Sequence, residues 1–407
     1  MSNSPRRVGF AILVAALGYF VDIYDLILFS VVRTTSLQSI GVPAEELLPV
    51  GVRLINWQMG GMLLGGALWG VIGDKRGRLS VLFGSILMYS LANIANGFVT
   101  TVEQYAWLRL IAGIGLAGEL GAGITLVSEI MPARTRGWGT TIVATVGILG
   151  AVAAALVSGW TNWRTAYFVG GAMGLGLLAL RIGVAESGMF ETVKRTADVA
   201  RGNLWALLTS PETRGRYARV VLIGLPIWYV IGILVTLSPE LGRAAGMTQA
   251  PNGGTAVMYA YIGLAIGDFA TGGLSQIIGS RPRVVALALF ATAVSVAVYF
   301  TMAHASLVTF YVVCVLLGIS VGYWAVFVTM AAEQFGTNVR ATAATTAPNF
   351  VRGALVLLNL LFTYFRPSLG IRGSALLVGV LTLVIAFAAL RGLGETYGKD
   401  LDYTEPH

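Results

Sequence analysis

The stretch Gly18-Tyr19-Phe20-Val21-Asp22-Ile23-Tyr24-Asp25-Leu26-Ile27-Leu28-Phe29 lies inside an apolar run that extends from about 9 to 31. About 20 apolar residues, each rising 1.5 Å, carry a helix across the hydrocarbon of a bilayer. Asp22 and Asp25 are three positions apart, so a helix brings them to one face. A carboxylate at bilayer depth costs a few kcal/mol, faces a bundle interior or a wet cavity, and marks a functional site. The competing reading puts both acids at a helix end among the headgroups, and the apolar residues on either side of the pair weigh against it.

Composition generalises what this stretch implies. Of 407 residues, 56% are hydrophobic and 11% charged, whereas a soluble domain carries about 25% charged residues. The apolar runs are too long for barrel strands, so the class is an all-α integral membrane bundle. Twelve spans are placed at roughly 9–31, 50–72, 79–99, 104–127, 138–160, 163–184, 218–238, 256–279, 283–303, 307–331, 341–364 and 373–391. The net charge of +8 gathers in the loops on the side of the N-terminus. That is the positive-inside pattern, which puts both termini in the cytoplasm and argues against nucleic acid as the partner of the basic charge. Met1 to Arg7 could open a signal peptide, but no small-residue cleavage site precedes the acids, and the first span is read as uncleaved. Cys314 is the single cysteine and His304 and His407 are the only histidines. A disulfide, a thiolate metal cage, a cofactor site and a nucleophile–base set are therefore not expected, and neither is an enzyme.

The second span carries Gln58 and then Gly60, Gly61, Gly65 and Gly66, small residues that let helices pack closely in lipid. It ends in Gly70-Val71-Ile72-Gly73-Asp74-Lys75-Arg76-Gly77-Arg78. This loop resembles the G-x-x-x-D-[RK]-x-G-[RK] signature between the second and third helices of the major facilitator superfamily. The resemblance implies a bundle of twelve transmembrane helices in two pseudo-symmetric halves. The expected boundaries are 1–184, a cytoplasmic linker 185–217, 218–392, and a cytoplasmic tail 393–407. It also implies a conformational latch at the cytoplasmic end, built from Gly70, Asp74 and Arg78.

The fourth span holds a formal G-x-G-x-x-G at 113 to 118, but no strand precedes it and it lies in the membrane, so a dinucleotide is not its ligand. It is similar to the superfamily's R-x-x-x-G-x-G pattern beginning at Arg109, and Glu119 follows as a third intramembrane acid. Glu129 and Arg136 close this region, and Glu333 and Arg340 repeat their seven-residue spacing in the second half. Gly272 to Arg281 is a decayed copy of the 70–78 loop at an offset near 203. Two anchors at nearly one offset indicate duplication, with a site at the midplane between the halves. Glu129, Arg136, Glu333 and Arg340 join the expected latch. At the matching offset Asp25 corresponds to Trp228, beside Tyr229.

Two roles are expected of the polar residues in the spans. Asp22, Asp25 and Glu119 are candidates for proton coupling, because a carboxylate desolvated when a cavity closes has its charged form disfavoured. Arg352 suits an anionic group, since a guanidinium keeps its charge and forks onto a carboxylate. A structural salt bridge from Arg352 to Asp268 or Glu119 is the competing reading. Tyr24, Gln58, Trp228, Tyr229, Asp268, Tyr323 and Asn349 would shape the pocket. The acid pair, the Gly118-Glu119-Leu120-Gly121 run and Glu186-Ser187 look like the metabolite:proton symporters and the sialic-acid and organic-ion carriers of the superfamily. The expected function is proton-coupled symport of a small anionic or zwitterionic metabolite by a monomer in the inner membrane. Two alternatives stand beside it: a cation, metal or drug exporter that uses the acids for its cargo, and a receptor that binds without transporting.

Overall fold

The computed structural model describes residues 5–76, 78–118, 136–186, 207 and 210–398. Every regular element among them is helical. The first half contains α1 (Pro5–Ser39), α2 (Leu47–Arg76), α3 (Arg78–Asn96), α4 (Val102–Leu116), α5 (Arg136–Trp160) and α6 (Trp163–Glu186). The second contains α7 (Pro211–Tyr229), a π turn at Val230–Val235, α8 (Ser238–Ala244), α9 (Gly253–Ile278) and α10 (Arg281–Met302). It continues with α11 (Leu307–Val321), α12 (Trp324–Glu333), α13 (Thr337–Gly353) and α14 (Leu355–Leu390). Polar residues of the connections cap the helices that follow them. Thr101, Asn252, Ser280 and Ser306 each accept a hydrogen bond from the backbone N–H three residues on, satisfying a donor the first turn leaves open.

Glycine sets how closely the helices approach, and it does so twice. A Cβ on Gly61 or Gly65 of α2 would collide with the carbonyl of Leu110 or Ile114 of α4, and one on Gly113 would collide with that of Gln58. In the second half, Gly263 and Gly267 of α9 lie against the carbonyls of Val315 and Ile319 of α11, and Gly318 lies against that of Ala260. Gly263 and Gly267 stand 202 positions after Gly61 and Gly65, and Gly318 stands 205 after Gly113. The duplication is therefore one of packing as well as of loops. Gly113 belongs to a helix crossing, which disposes of the phosphate-loop reading of its motif.

Two expected spans are interrupted. The tenth breaks at Gly322-Tyr323 into α11 and α12. Side chains of α9 hold the break: Thr271 donates to the Gly322 carbonyl at 2.6 Å, and the Asp268 carboxylate accepts from the Ala325 N–H at 2.7 Å. The eleventh is divided at Ala354 between α13 and α14. Gly370, at φ 69°, then turns the chain from the eleventh span into the twelfth, a conformation that favours glycine. The bundle is the twelve-span fold expected from sequence. Eight of its helical stretches meet the length and hydropathy needed to cross a membrane among the described residues, the last of them joining spans eleven and twelve.

Candidate functional site

α1 points its two acids in different directions, because positions three apart on a helix differ by about 60° around the axis. Asp22 meets the second half: its Oδ2 lies 3.6 Å from Nη1 of Arg352, and both side chains are fully buried. Asp25 turns into the first half. Gly170 of α6 leaves the room its carboxylate occupies, for a Cβ there would collide with Oδ1. Arg109 of α4, Asn93 of α3 and Asp22 supply the charge and polarity around it.

Arg109 is fixed from several sides. It donates to Asn93 Oδ1 at 2.9 Å and to Gln58 Oε1 at 3.4 Å, and lies over the Tyr167 ring at 5.2 Å. Gln58 donates in turn to the Leu26 carbonyl of α1 at 3.0 Å. This network keeps a permanent cation beside Asp25 whatever the acid's protonation. Arg109 enters the sequence reading only as the start of the R-x-x-x-G-x-G pattern and not as a site residue. The polar Gln58 and Asn93 in two neighbouring spans were the available signal.

Arg352 is held less firmly. Its guanidinium lies 5.5 Å above the Trp324 ring, and among the described residues none of its nitrogens makes a hydrogen bond. Charge-assisted hydrogen bonds run at about 2.7–2.9 Å, so the 3.6 Å approach to Asp22 is electrostatic only. The indole N–H of Trp228 and Oδ1 of Asn349 are also buried without a hydrogen-bond partner among the described residues. Native interiors satisfy such groups, and a polar ligand would do so here. The other end of the Asn349 amide donates to the Ala117 carbonyl at 2.9 Å, crossing between the halves.

The remaining expected residues have other neighbours. Tyr24, Tyr229 and Tyr323 donate their hydroxyls to the carbonyls of Ala166, Ala375 and Ile223 at 2.8–2.9 Å, bracing adjacent helices. Asp268 caps the start of α12; no ion pair joins it to Arg352 among the described residues. Glu119 and Glu129 lie outside the described residues, as do the side chains of Asp74, Arg78 and Arg136, while Gly70 lies within α2. Arg340 donates to the Phe335 carbonyl at 3.2 Å.

Glu333 pairs with Arg281 at 3.4 Å and accepts from Thr396 at 2.8 Å, tying the C-terminal tail to the ends of α10 and α12. Glu395 beside it accepts from the backbone N–H groups of Arg281, Thr396 and Tyr397, each at 3.0 Å. Partial burial pushes this carboxyl up, but the Ser280 hydroxyl and the three N–H groups together hold it below the ordinary glutamate value. A depressed acid stabilises the fold above its unfolded pKa, and the contribution disappears as pH falls through the folded value. Glu395→Gln should therefore lower the thermal midpoint at pH 7. The difference from the parent should shrink once pH falls below the ordinary glutamate value of about 4.3 and vanish below the depressed folded value.

The comparisons agree with this architecture. The model of the Major Facilitator Superfamily matches residues 9–344. The chain is 27% identical to the niacin transporter NiaP of Acinetobacter baylyi, over 96% of this chain and 94% of that one. It is 24% identical to the gentisate transporter of Corynebacterium glutamicum, over 97% and 90%. Among solved structures it resembles the proton:xylose symporter XylE bound to 6-bromo-6-deoxy-D-glucose, with a TM-score of 0.68 at 16% identity and 98% of each chain covered. With the two-fold glycine packing, the buried acids of the first helix and a match over most of its length, this chain belongs to the Major Facilitator Superfamily and is a transporter rather than an enzyme.

Proposed function

We propose that the protein takes up a small organic carboxylate together with protons by alternating access, from the face opposite its cytoplasmic termini. The observation that carries this reading is Arg352: a buried guanidinium at the junction of the halves with no hydrogen bond among the described residues. A carboxylate presents two acceptors to such a fork, and aromatic side chains beside it suit a ring. Niacin and gentisate, named for two relatives, are aromatic acids, which supports the class. Asp22 is the counter-ion of Arg352 when the site is empty and yields that place to the cargo. Asp25 and Arg109 form the proton site: with a proton, Asp25 leaves Arg109 to its neutral partners, and without it the two opposite charges attract across the same space.

The exporter reading weakens on charge. It sets three acids against one buried arginine, whereas Arg109 is as fully buried as Arg352. Each of Asp22 and Asp25 faces a guanidinium, leaving little net negative charge to hold a cation. Thermal unfolding of the purified protein with nicotinate, gentisate, a zwitterionic amino acid and an organic ammonium separates the readings. A carboxylate raises the midpoint with the logarithm of its concentration over Kd. A shift confined to the ammonium would overturn the assignment.

A further inference from the structure

Among the described residues, two ion pairs cross between the halves, and they differ in quality. The central one, Asp22 with Arg352, makes no hydrogen bond through the guanidinium. The other lies at the end of the bundle where α1 runs into α2. There Nη2 of Arg33 reaches both carboxylate oxygens of Glu240 on α8, at 2.9 and 2.8 Å, and the Thr236 carbonyl at 3.2 Å. Nη1 donates to the Leu47 carbonyl at 3.3 Å. Arg33 is 1% exposed and Glu240 7%. Gly51 of α2 provides the space, for a Cβ there would press on the Arg33 side chain at 2.7 Å.

The position is as telling as the geometry. Arg33 and Thr236 are 203 residues apart, the offset that relates the two halves. Residues related by a pseudo-two-fold axis touch each other only near that axis, so this contact sits where the halves converge. A neutral bond, Asn359 to Asn56 at 2.8 Å, also joins the halves. Arg33 lies eight residues beyond Asp25 on α1, about 12 Å along the helix.

We propose that Arg33 and Glu240 are the gate of the transport path at the α1–α2 end, forming their pair as the halves close there and parting when they open. The gate rests on the alternating-access reading. Breaking the pair exchanges a buried contact for two hydrated charges. Removing one partner leaves the other buried without its counter-ion, so each single substitution favours the open arrangement, in which the remaining group meets water.

Ser238 supplies the reporter. It is fully buried two residues from Glu240, and its hydroxyl has no hydrogen-bond partner among the described residues. In a Cys314→Ser background, Ser238→Cys is reacted with a membrane-impermeant maleimide in right-side-out and in inverted vesicles. Adding Glu240→Gln or Arg33→Gln should speed labelling about tenfold or more on one face only, equivalent to about 1.4 kcal/mol in the open–closed balance. The exchanged pair Arg33→Glu with Glu240→Arg should restore slow labelling. Unchanged rates in the single variants, or a swap that labels as fast as they do, would overturn the gate. If the single variants fail to insert, Arg33→Lys serves: an intermediate rate supports the gate and a parental rate overturns it. Labelling needs no substrate, so its failure leaves the transport reading standing. Absence of counterflow of labelled nicotinate or gentisate in the parent would instead strike that reading and leave the labelling result intact.

Discussion

Asp25→Asn protein in proteoliposomes should exchange labelled substrate across the membrane yet fail to accumulate it under an imposed pH gradient. The amide preserves the shape that fills the space left by Gly170 but mimics one protonation state permanently. Net symport requires a carboxyl that alternates between two states, whereas exchange requires only that the loaded carrier turn over. Gradient-driven accumulation should therefore fall to the level reached without a gradient, a loss of about tenfold or more for a gradient of one pH unit. Counterflow should remain within a few-fold of the parent. Equal loss of both activities would point to a structural role for Asp25, and full retention of accumulation would remove it from the proton path. Arg109 makes the first result the expected one: its bonds to Asn93 and Gln58 persist without help from Asp25.

Arg352→Lys should keep the buried charge and lose the fork. A lysine ammonium cannot take both oxygens of a carboxylate in one plane, so carboxylate affinity should fall about 10- to 100-fold, or roughly 1.4–2.8 kcal/mol. Arg352→Gln alone removes the cation that faces Asp22 and should also destabilise the protein, since breaking a buried pair costs about 3–5 kcal/mol. Adding Asp22→Asn should recover most of that stability without recovering binding. The double variant thus separates a cation that serves the cargo from one that serves only the fold. Equal affinity in the parent and in Arg352→Lys would reduce Arg352 to a structural partner of Asp22.

Much of this was legible in the sequence because it follows from local pattern. Hydropathy over about 20 residues located the spans, and the repeated loop and the Glu129/Arg136 spacing located the duplication. What escaped depends on contacts between distant segments. Arg33 lies just past the first expected span, 9–31, and its partner Glu240 is 207 residues away. Asp268 read as a pocket acid, and only the break between α11 and α12 reveals that it caps a helix. That break carries no proline, and Gly322-Tyr323 is an unremarkable dipeptide in an apolar run. The divergence of Asp22 and Asp25 was similarly hidden: spacing places two residues on one broad helix face without saying which neighbour each meets. Once both partners are known, one acid proves to face Arg352 of the second half and the other Arg109 of the first.

The most direct measurement of the central claim is the proton movement that accompanies substrate. Proteoliposomes in weakly buffered medium with a pH-sensitive dye outside are given nicotinate or gentisate, with the membrane potential clamped. Uptake of a carboxylate with protons predicts that the outer medium becomes more alkaline on addition, at a rate that saturates with substrate and is abolished by Asp25→Asn. Acidification of the medium, or substrate entry with no pH change at all, would contradict the account.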